Sequence, residues 1–208
     1  TANGVVRITT STRTDGDLHP QRTAASDLDR RRRAIVDLPW TMLDQVHGVG
    51  VVTVDRPGDG DGEIGDVLVL DSDDAVVAVW AADCAPVAVI APDGVVAVAH
   101  GGWRGLAAGV LAAACDAIGI GYRRPGVAVL GPCIRACCNE FGRSDLAAVA
   151  EGCGVPVSSV VGTTSWGSSA LDVPAAVRGA LHEHGVMLID DEICTGCDQR
   201  WFSHRRRH

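Results

Sequence analysis

Apolar residues along the chain fall into short runs with strand character, alternating with stretches of helical spacing. Strands are predicted over residues 5–10, 40–46, 49–54, 66–70, 76–80, 86–90, 95–99, 127–130 and 187–190, the last as a buried strand. Helices are predicted from a Ser26 or Asp27 cap to about Asp37, ahead of Pro39, and through "LAAGVLAAACDAIG" from Leu106, ended by Gly119 and Gly121. Two more follow, one capped by Ser144 or Asp145 and running to about Glu151, the other capped by Asp172, with Pro174 in its first turn and His184-Gly185 closing it. This alternation predicts one α/β domain over residues 1–208, with a mixed β-sheet and flanking helices. The matching stretches "AVVAVWAADC" and "GVVAVAHGGW" read as neighbouring strands, with Cys84 just past the first and His100 at the end of the second. Strand ends are where open α/β sheets place their sites.

Composition narrows the chemistry. The chain has 208 residues, 47% hydrophobic and 21% charged, and no charge-free apolar run long enough to cross a bilayer. The opening "TANGVVRITT" lacks the basic and apolar regions of a secretory signal, so the expected location is the cytoplasm. A net charge of −8 argues against nucleic acid as a partner. All 18 basic residues other than histidine are arginines, which excludes Schiff-base, pyridoxal and Walker-type nucleotide chemistry, each of which needs a lysine. Anion binding then falls to arginine and backbone amides. The run Arg30 to Arg33 reads as a solvated helix face, "DRPGDGDGEIGD" as a surface loop lacking the full calcium pattern, and "RRRH" at the end as a basic tail. Of the eight cysteines, set in apolar patterns of a sizeable domain, most read as reduced, with Cys115 and Cys153 in the core.

Three residues carry the chemistry. His47, like His100, falls at a predicted strand end, and two imidazoles with the Cys84 thiolate make a three-ligand zinc set with a fourth position left for water or substrate. Their separations of 37 and 16 residues make any such site tertiary, and Asp83 is the carboxylate predicted to orient a ligand. Two other readings stand beside it. Cys133, Cys137, Cys138, Cys194 and Cys197 offer a structural zinc site, although the Gly131-Pro132 turn points Cys133 toward the pocket. Alternatively, Cys84 is a metal-free nucleophile with His100 as its base and His47 or Asp83 as orienter.

Five motifs occur in order: "QVHG" at Gln45, "ADCAPV" at Ala82, "AHGGWRG" at Ala99, "GPCI" at Gly131, and the terminal "CTGCDQRWFSHRR". On these the chain resembles the YfiH, or laccase-domain, proteins, also called multicopper polyphenol oxidase-like or purine nucleoside phosphorylase family. The resemblance implies an α/β fold related to cytotoxic-necrotizing-factor-type cysteine hydrolases. It also implies zinc, rather than copper, held by His47, Cys84 and His100, with phosphorolysis of adenosine, inosine and methylthioadenosine and deamination of adenosine. Purine nucleosides and phosphate are the expected partners, with Arg13, Arg104 and Cys133 as candidate substrate contacts. The sequence departs from the family in its N-terminal loop, and carries Gly101, Asn139 and His204 where alanine, tyrosine and tyrosine are usual. The alternative functions are a metal-free Cys-His hydrolase, a copper phenol oxidase and a non-catalytic binding module.

Overall fold

The computed structural model describes residues 5–120 and 126–206. Its centre is a six-stranded sheet built from β2 (Val51–Val54), β3 (Val67–Leu70), β5 (Ala85–Ile90), β6 (Val96–Gly101), β7 (Val127–Leu130) and β10 (Met187–Asp190). The order across the sheet is β10-β7-β5-β6-β3-β2; the outer pairs are parallel and the inner three antiparallel, so the sheet is mixed as predicted. Strands β1 (Trp40–Met42) and β4 (Val76–Ala78) form a separate parallel pair.

The alternation of side chains along each strand divides the molecule into two faces. Val67 and Val69 of β3, Ala97 and Ala99 of β6, and Val87 and Val89 of β5 enter the main core. That core is shared with helices α2 (Trp103–Ala108), α3 (Val110–Ala117), α4 (Arg143–Gly152) and α5 (Val173–His182). Leu68 points the other way, into a smaller cluster with Leu43 and Val54. Pro86, Ala88, Val96, Val98 and His100 have the parity opposite to the core residues of their strands, and they line a cleft on that second face. The register that buries Ala97 and Ala99 therefore aims His100 into the cleft.

Several predicted elements take a different form. Residues 5–10 belong to no strand or helix and have no ladder partner among the described residues, which leaves Val5, Val6 and Ile8 exposed along the cleft. Alternation favours a strand only where a sheet edge is available to pair with it. The two similar stretches are not neighbours, because β4 pairs with β1 while β6 lies between β5 and β3. The helix predicted from Leu106 begins at Trp103 and is split at Gly109, whose left-handed φ of 87° ends α2 and starts α3. Gly119 follows α3, and Gly121 lies outside the described residues, as do Arg207 and His208 of the basic tail.

Helix α1 (Ala25–Ile35) has Ala24, not Ser26 or Asp27, at its N-cap, and α4 has Gly142 rather than Ser144 or Asp145. The acidic residues stand instead in the first turns, where the helix dipole favours them. Asp172 caps α5 as expected, accepting from the Ala175 amide at 3.0 Å. Strand β10 is an edge, with Met187 65% and Ile189 48% exposed. A hairpin, β8 (Val161–Thr163) with β9 (Ser169–Leu171), adds a pair that the Gly-, Thr- and Ser-rich sequence did not announce. Only part of the arginine run is a solvated face: Arg30 pairs with Asp27 and Arg33 with Asp29 and Asp37, whereas Arg31 reaches the Asp17 carbonyl and Arg32 turns inward over the Trp40 ring and onto the Met42 sulfur, its Nε buried.

Helices α2 and α4 approach each other where Gly152 meets Ala107; a Cβ at residue 152 would lie 2.1 Å from the Ala107 carbonyl oxygen. Overpacking of this kind costs about 1–3 kcal/mol. Gly152→Ala is expected to lose that much in equilibrium urea unfolding; wild-type stability in the variant would contradict the helix crossing.

Candidate metal centre and cleft

His47, Cys84 and His100 come together at the floor of a cleft of about 1200 Å³. One ligand atom from each lies within 4.8 Å of the others; His47 Nε2 is 3.7 Å from Cys84 Sγ, and the two imidazoles meet edge to face with centroids 4.7 Å apart. Antiparallel register brings them there. Pro86 faces His100 across the β5-β6 ladder, so Cys84, two residues before Pro86, shares the cleft face.

The side chain that organises the group is Asp66, which lies directly before β3 and is fully buried. Its backbone carbonyl accepts from the His100 amide at 2.8 Å. Its carboxylate Oδ1 accepts from His100 Nδ1 at 2.8 Å and from the His47 amide at 3.0 Å, while Oδ2 accepts from the amides of Gly48 at 2.6 Å and Val46 at 3.3 Å. Burial alone would raise this carboxyl's pKa, but the His100 hydrogen bond and the Gly48 and His47 amides outweigh it and hold Asp66 below the ordinary carboxylate range. An ionised carboxylate can only accept, so Nδ1 of His100 carries the proton and Nε2 keeps a lone pair for the cleft. The amide contacts also hold His47 at φ 61°, a left-handed conformation uncommon outside glycine.

The remaining electrostatics suit a cation. Burial, followed by the charge of His100, lowers the pKa of His47, favouring the neutral imidazole that ligates metals. Burial, then the charges of Asp83 and Asp66, push the Cys84 thiol up to about 12. Without a cation it is a protonated thiol, the reverse of an activated nucleophile. Gly102 leaves the room required: its φ of −68° is ordinary, but a Cβ there would come 2.3 Å from His47 Cδ2 and 3.3 Å from Cys84 Sγ.

Asp83, the predicted orienter, contacts neither histidine. At φ 91° its carboxylate turns away, accepting from Thr195 Oγ1 at 2.6 Å and the Arg205 amide at 2.7 Å. Asp66 takes the role assigned to it. Cys133 is fully buried in the core and does not line the cleft, because its register against Cys194 turns it toward the helices. Arg104 lines the cleft from α2, exposed, with its guanidinium 4.4 Å from the Trp103 ring centre. Arg13, predicted as a substrate contact, is exposed and is not among the residues that line the cleft; its guanidinium lies 5.8 Å from the ring centre of Phe202, which is.

Two further residues frame the site. The Gln45 side chain brackets the backbone of Trp80, donating to its carbonyl and accepting from its amide, both at 2.9 Å. Trp80 stacks toward His100 at 6.3 Å, with its indole N–H buried and unpartnered. The signal for both was the "QVHG" motif and a tryptophan at the end of an apolar run. No described helix is long and apolar enough to cross a membrane.

Comparison with known proteins agrees with this architecture. Residues 19–208 match the family described as multi-copper polyphenol oxidoreductase laccase. A Streptomyces coelicolor protein named as a purine nucleoside phosphorylase is 37% identical over 172 residues, covering 79% of this chain and 68% of the relative. The similarly named YlmD of Geobacillus stearothermophilus is 31% identical over 188 residues, covering 80% and 67%. Among solved structures, a Neisseria meningitidis protein of the DUF152 family superposes with a TM-score of 0.75 at 29% identity, covering 88% of this chain and 77% of that one. YfiH of Bacillus licheniformis shares the fold, with a TM-score of 0.75 at 24% identity over 89% and 78%.

Because Asp66 fixes the His100 imidazole and the His47 backbone, Asp66→Asn is expected to weaken metal binding about 10- to 100-fold, the usual effect of removing a carboxylate behind a ligating histidine. The carboxylate's folded pKa is depressed, so its stabilisation is complete above the unfolded value of about 4 and fades as pH falls through the lower folded value. In metal-free protein the stability gap between wild type and Asp66→Asn should therefore narrow below about pH 4. A gap independent of pH would contradict the assignment.

Proposed function

The chain belongs to the multi-copper polyphenol oxidoreductase laccase family, and from that premise we propose that it is a zinc-dependent purine nucleoside enzyme. The proposed reactions are phosphorolysis of adenosine, inosine and methylthioadenosine and deamination of adenosine. The supporting observation is the convergence of two imidazoles and one thiol at the floor of an aromatic-walled cleft, with a buried carboxylate behind them. The names of the relatives supply the substrate class.

The donor set fits a zinc ion held by His47, Cys84 and His100. Gly102 leaves the space open, and a cation would displace the thiol proton that burial otherwise retains. A bound zinc ion supplies Lewis acidity and water activation near neutral pH. The protein's own residues supply the rest. Asp66 keeps the proton on His100 Nδ1 and so fixes the ligand orientation. Trp80, Trp103 and Phe202 give the cleft apolar faces that exclude water and suit a purine base. Arg104 offers the cation for phosphate, and Arg13 a second one near Phe202. The proposed setting is cytoplasmic.

The alternatives fit the donors less well. A metal-free hydrolase needs a depressed thiol pKa, and Cys84 is pushed the opposite way. Multi-copper chemistry needs further clustered imidazoles, whereas the other donor cluster among the described residues is composed of cysteines alone.

His47→Ala, Cys84→Ala and His100→Ala are each expected to lower bound zinc by about one equivalent in elemental analysis. Wild-type zinc-loaded protein should convert adenosine to adenine when phosphate is supplied and to inosine without it, and His100→Ala should form neither product by chromatography. No product from adenosine, inosine or methylthioadenosine under either condition would overturn the enzyme reading in favour of a binding module. Arg104→Ala should raise the KM for phosphate about tenfold, the scale of one lost charge-assisted hydrogen bond, with zinc retained. Unchanged phosphate saturation would remove Arg104 from the site.

A further inference from the structure

Ligand-type side chains converge at a second place, outside the cleft. Cys137 and Cys138 belong to a 3-10 turn (Ala136–Cys138), and Cys194 and Cys197 to the turn "CTGC" that follows β10. Cys137 Sγ is 3.6 Å from both Cys194 Sγ and Cys197 Sγ, and Cys138 Sγ is 3.4 Å from Cys197 Sγ. All four sulfurs lie within 4.8 Å of one another, and none is in a disulfide. Disulfide sulfurs stand about 2.05 Å apart. Four sulfurs placed tetrahedrally about zinc at about 2.3 Å stand about 3.8 Å apart, close to the spacing seen here.

The surroundings are those of a closed metal knuckle. The "CTGC" turn is fastened by the amides of Cys197 and Asp198, which donate to the Cys194 carbonyl at 3.1 and 3.0 Å. Gly196 allows the close approach, since a Cβ there would lie 2.7 Å from Cys138 Cβ. The guanidinium of Arg206 donates to the Gly196 carbonyl at 3.2 Å and to the Asp198 carbonyl at 3.3 Å, bracing the turn from the tail. Cys197 is exposed, which gives an ion an entry path, while Cys194 is buried. Cys133, the fifth cysteine of this region, points into the core and is not in the cluster.

We propose that Cys137, Cys138, Cys194 and Cys197 form a second metal site, a tetrathiolate that binds one Zn²⁺ and clamps the C-terminal turn to the 3-10 turn after β7. Thr195 lies inside the clamp, and its hydroxyl donates to Asp83, the left-handed residue that precedes Cys84. The second zinc is therefore structural, holding the backbone that presents Cys84. Four closely spaced cysteines without a cation must retain their protons or oxidise; with zinc they bind as thiolates and release protons.

Cobalt titration of the metal-stripped, reduced chain tests this with Co²⁺ alone as the probe. Two equivalents are expected, one with the intense sulfur-to-cobalt charge-transfer bands of a tetrathiolate. Those bands should persist in Cys84→Ser and disappear in Cys197→Ser, with zinc content as purified falling by about one equivalent in the latter. Cys197 is exposed, so its substitution is the least disruptive, and circular dichroism checks its fold. If that variant fails to fold, the wild-type spectrum decides. One equivalent of cobalt in the wild type, without tetrathiolate bands, would overturn the proposal. So would alkylation and mass spectrometry finding these cysteines paired as disulfides in chain purified without reductant.

Discussion

A single buried carboxylate sets the geometry of the cleft. Asp66 accepts four hydrogen bonds through its two oxygens, three from consecutive amides at residues 46–48 and one from His100. Burying an anion is costly unless its acceptor capacity is filled, and here it is filled by the two segments that must meet. The amides hold His47 in its left-handed conformation, and the imidazole bond fixes the tautomer of His100. The β3-β6 register makes the meeting possible: Val67 faces Ala99, so Asp66, one residue earlier, faces His100.

A second carboxylate performs the corresponding task for Cys84. Asp83 adopts φ 91° and is held from outside the sheet by Thr195 Oγ1 and the Arg205 amide. The C-terminal segment is thereby coupled to the site although it contributes no ligand to it. Thr195 in turn sits between two members of the cysteine cluster. Left-handed residues on both sides of the donor set, His47 and Asp83, show where backbone conformation has been constrained to place side chains.

Much of this was legible in the sequence because strand parity and strand ends are local properties. His47, Cys84 and His100 stood out as ligand types at predicted strand ends, and the structure brings them together, although β1 stops at Met42 and β4 at Ala78, which leaves His47 and Cys84 on the connections that follow those strands. Asp66 did not stand out, since it closes the acid- and glycine-rich stretch "DGDGEIGD" and resembles a turn residue; only the antiparallel partner of β3 gives it meaning. Asp83 was favoured by its proximity to Cys84 in sequence, but its backbone conformation sends the carboxylate elsewhere. Cys133 illustrates the same limit, because a turn at a strand end says nothing of which face the next side chain takes. Residues 5–10 have the alternation of a strand, and whether such a segment pairs depends on a distant sheet edge.

Asp66 brings the His47 backbone and the His100 imidazole together beside Cys84, and these three side chains are proposed to hold one metal ion. Anomalous diffraction across the zinc absorption edge, from crystals of the zinc-loaded chain, tests this most directly. The account predicts a zinc peak bounded by His47 Nε2, Cys84 Sγ and His100 Nε2, with Asp66 still bonded to His100 Nδ1. A peak ligated through Nδ1 of His100, or no zinc peak among these three side chains, would contradict it.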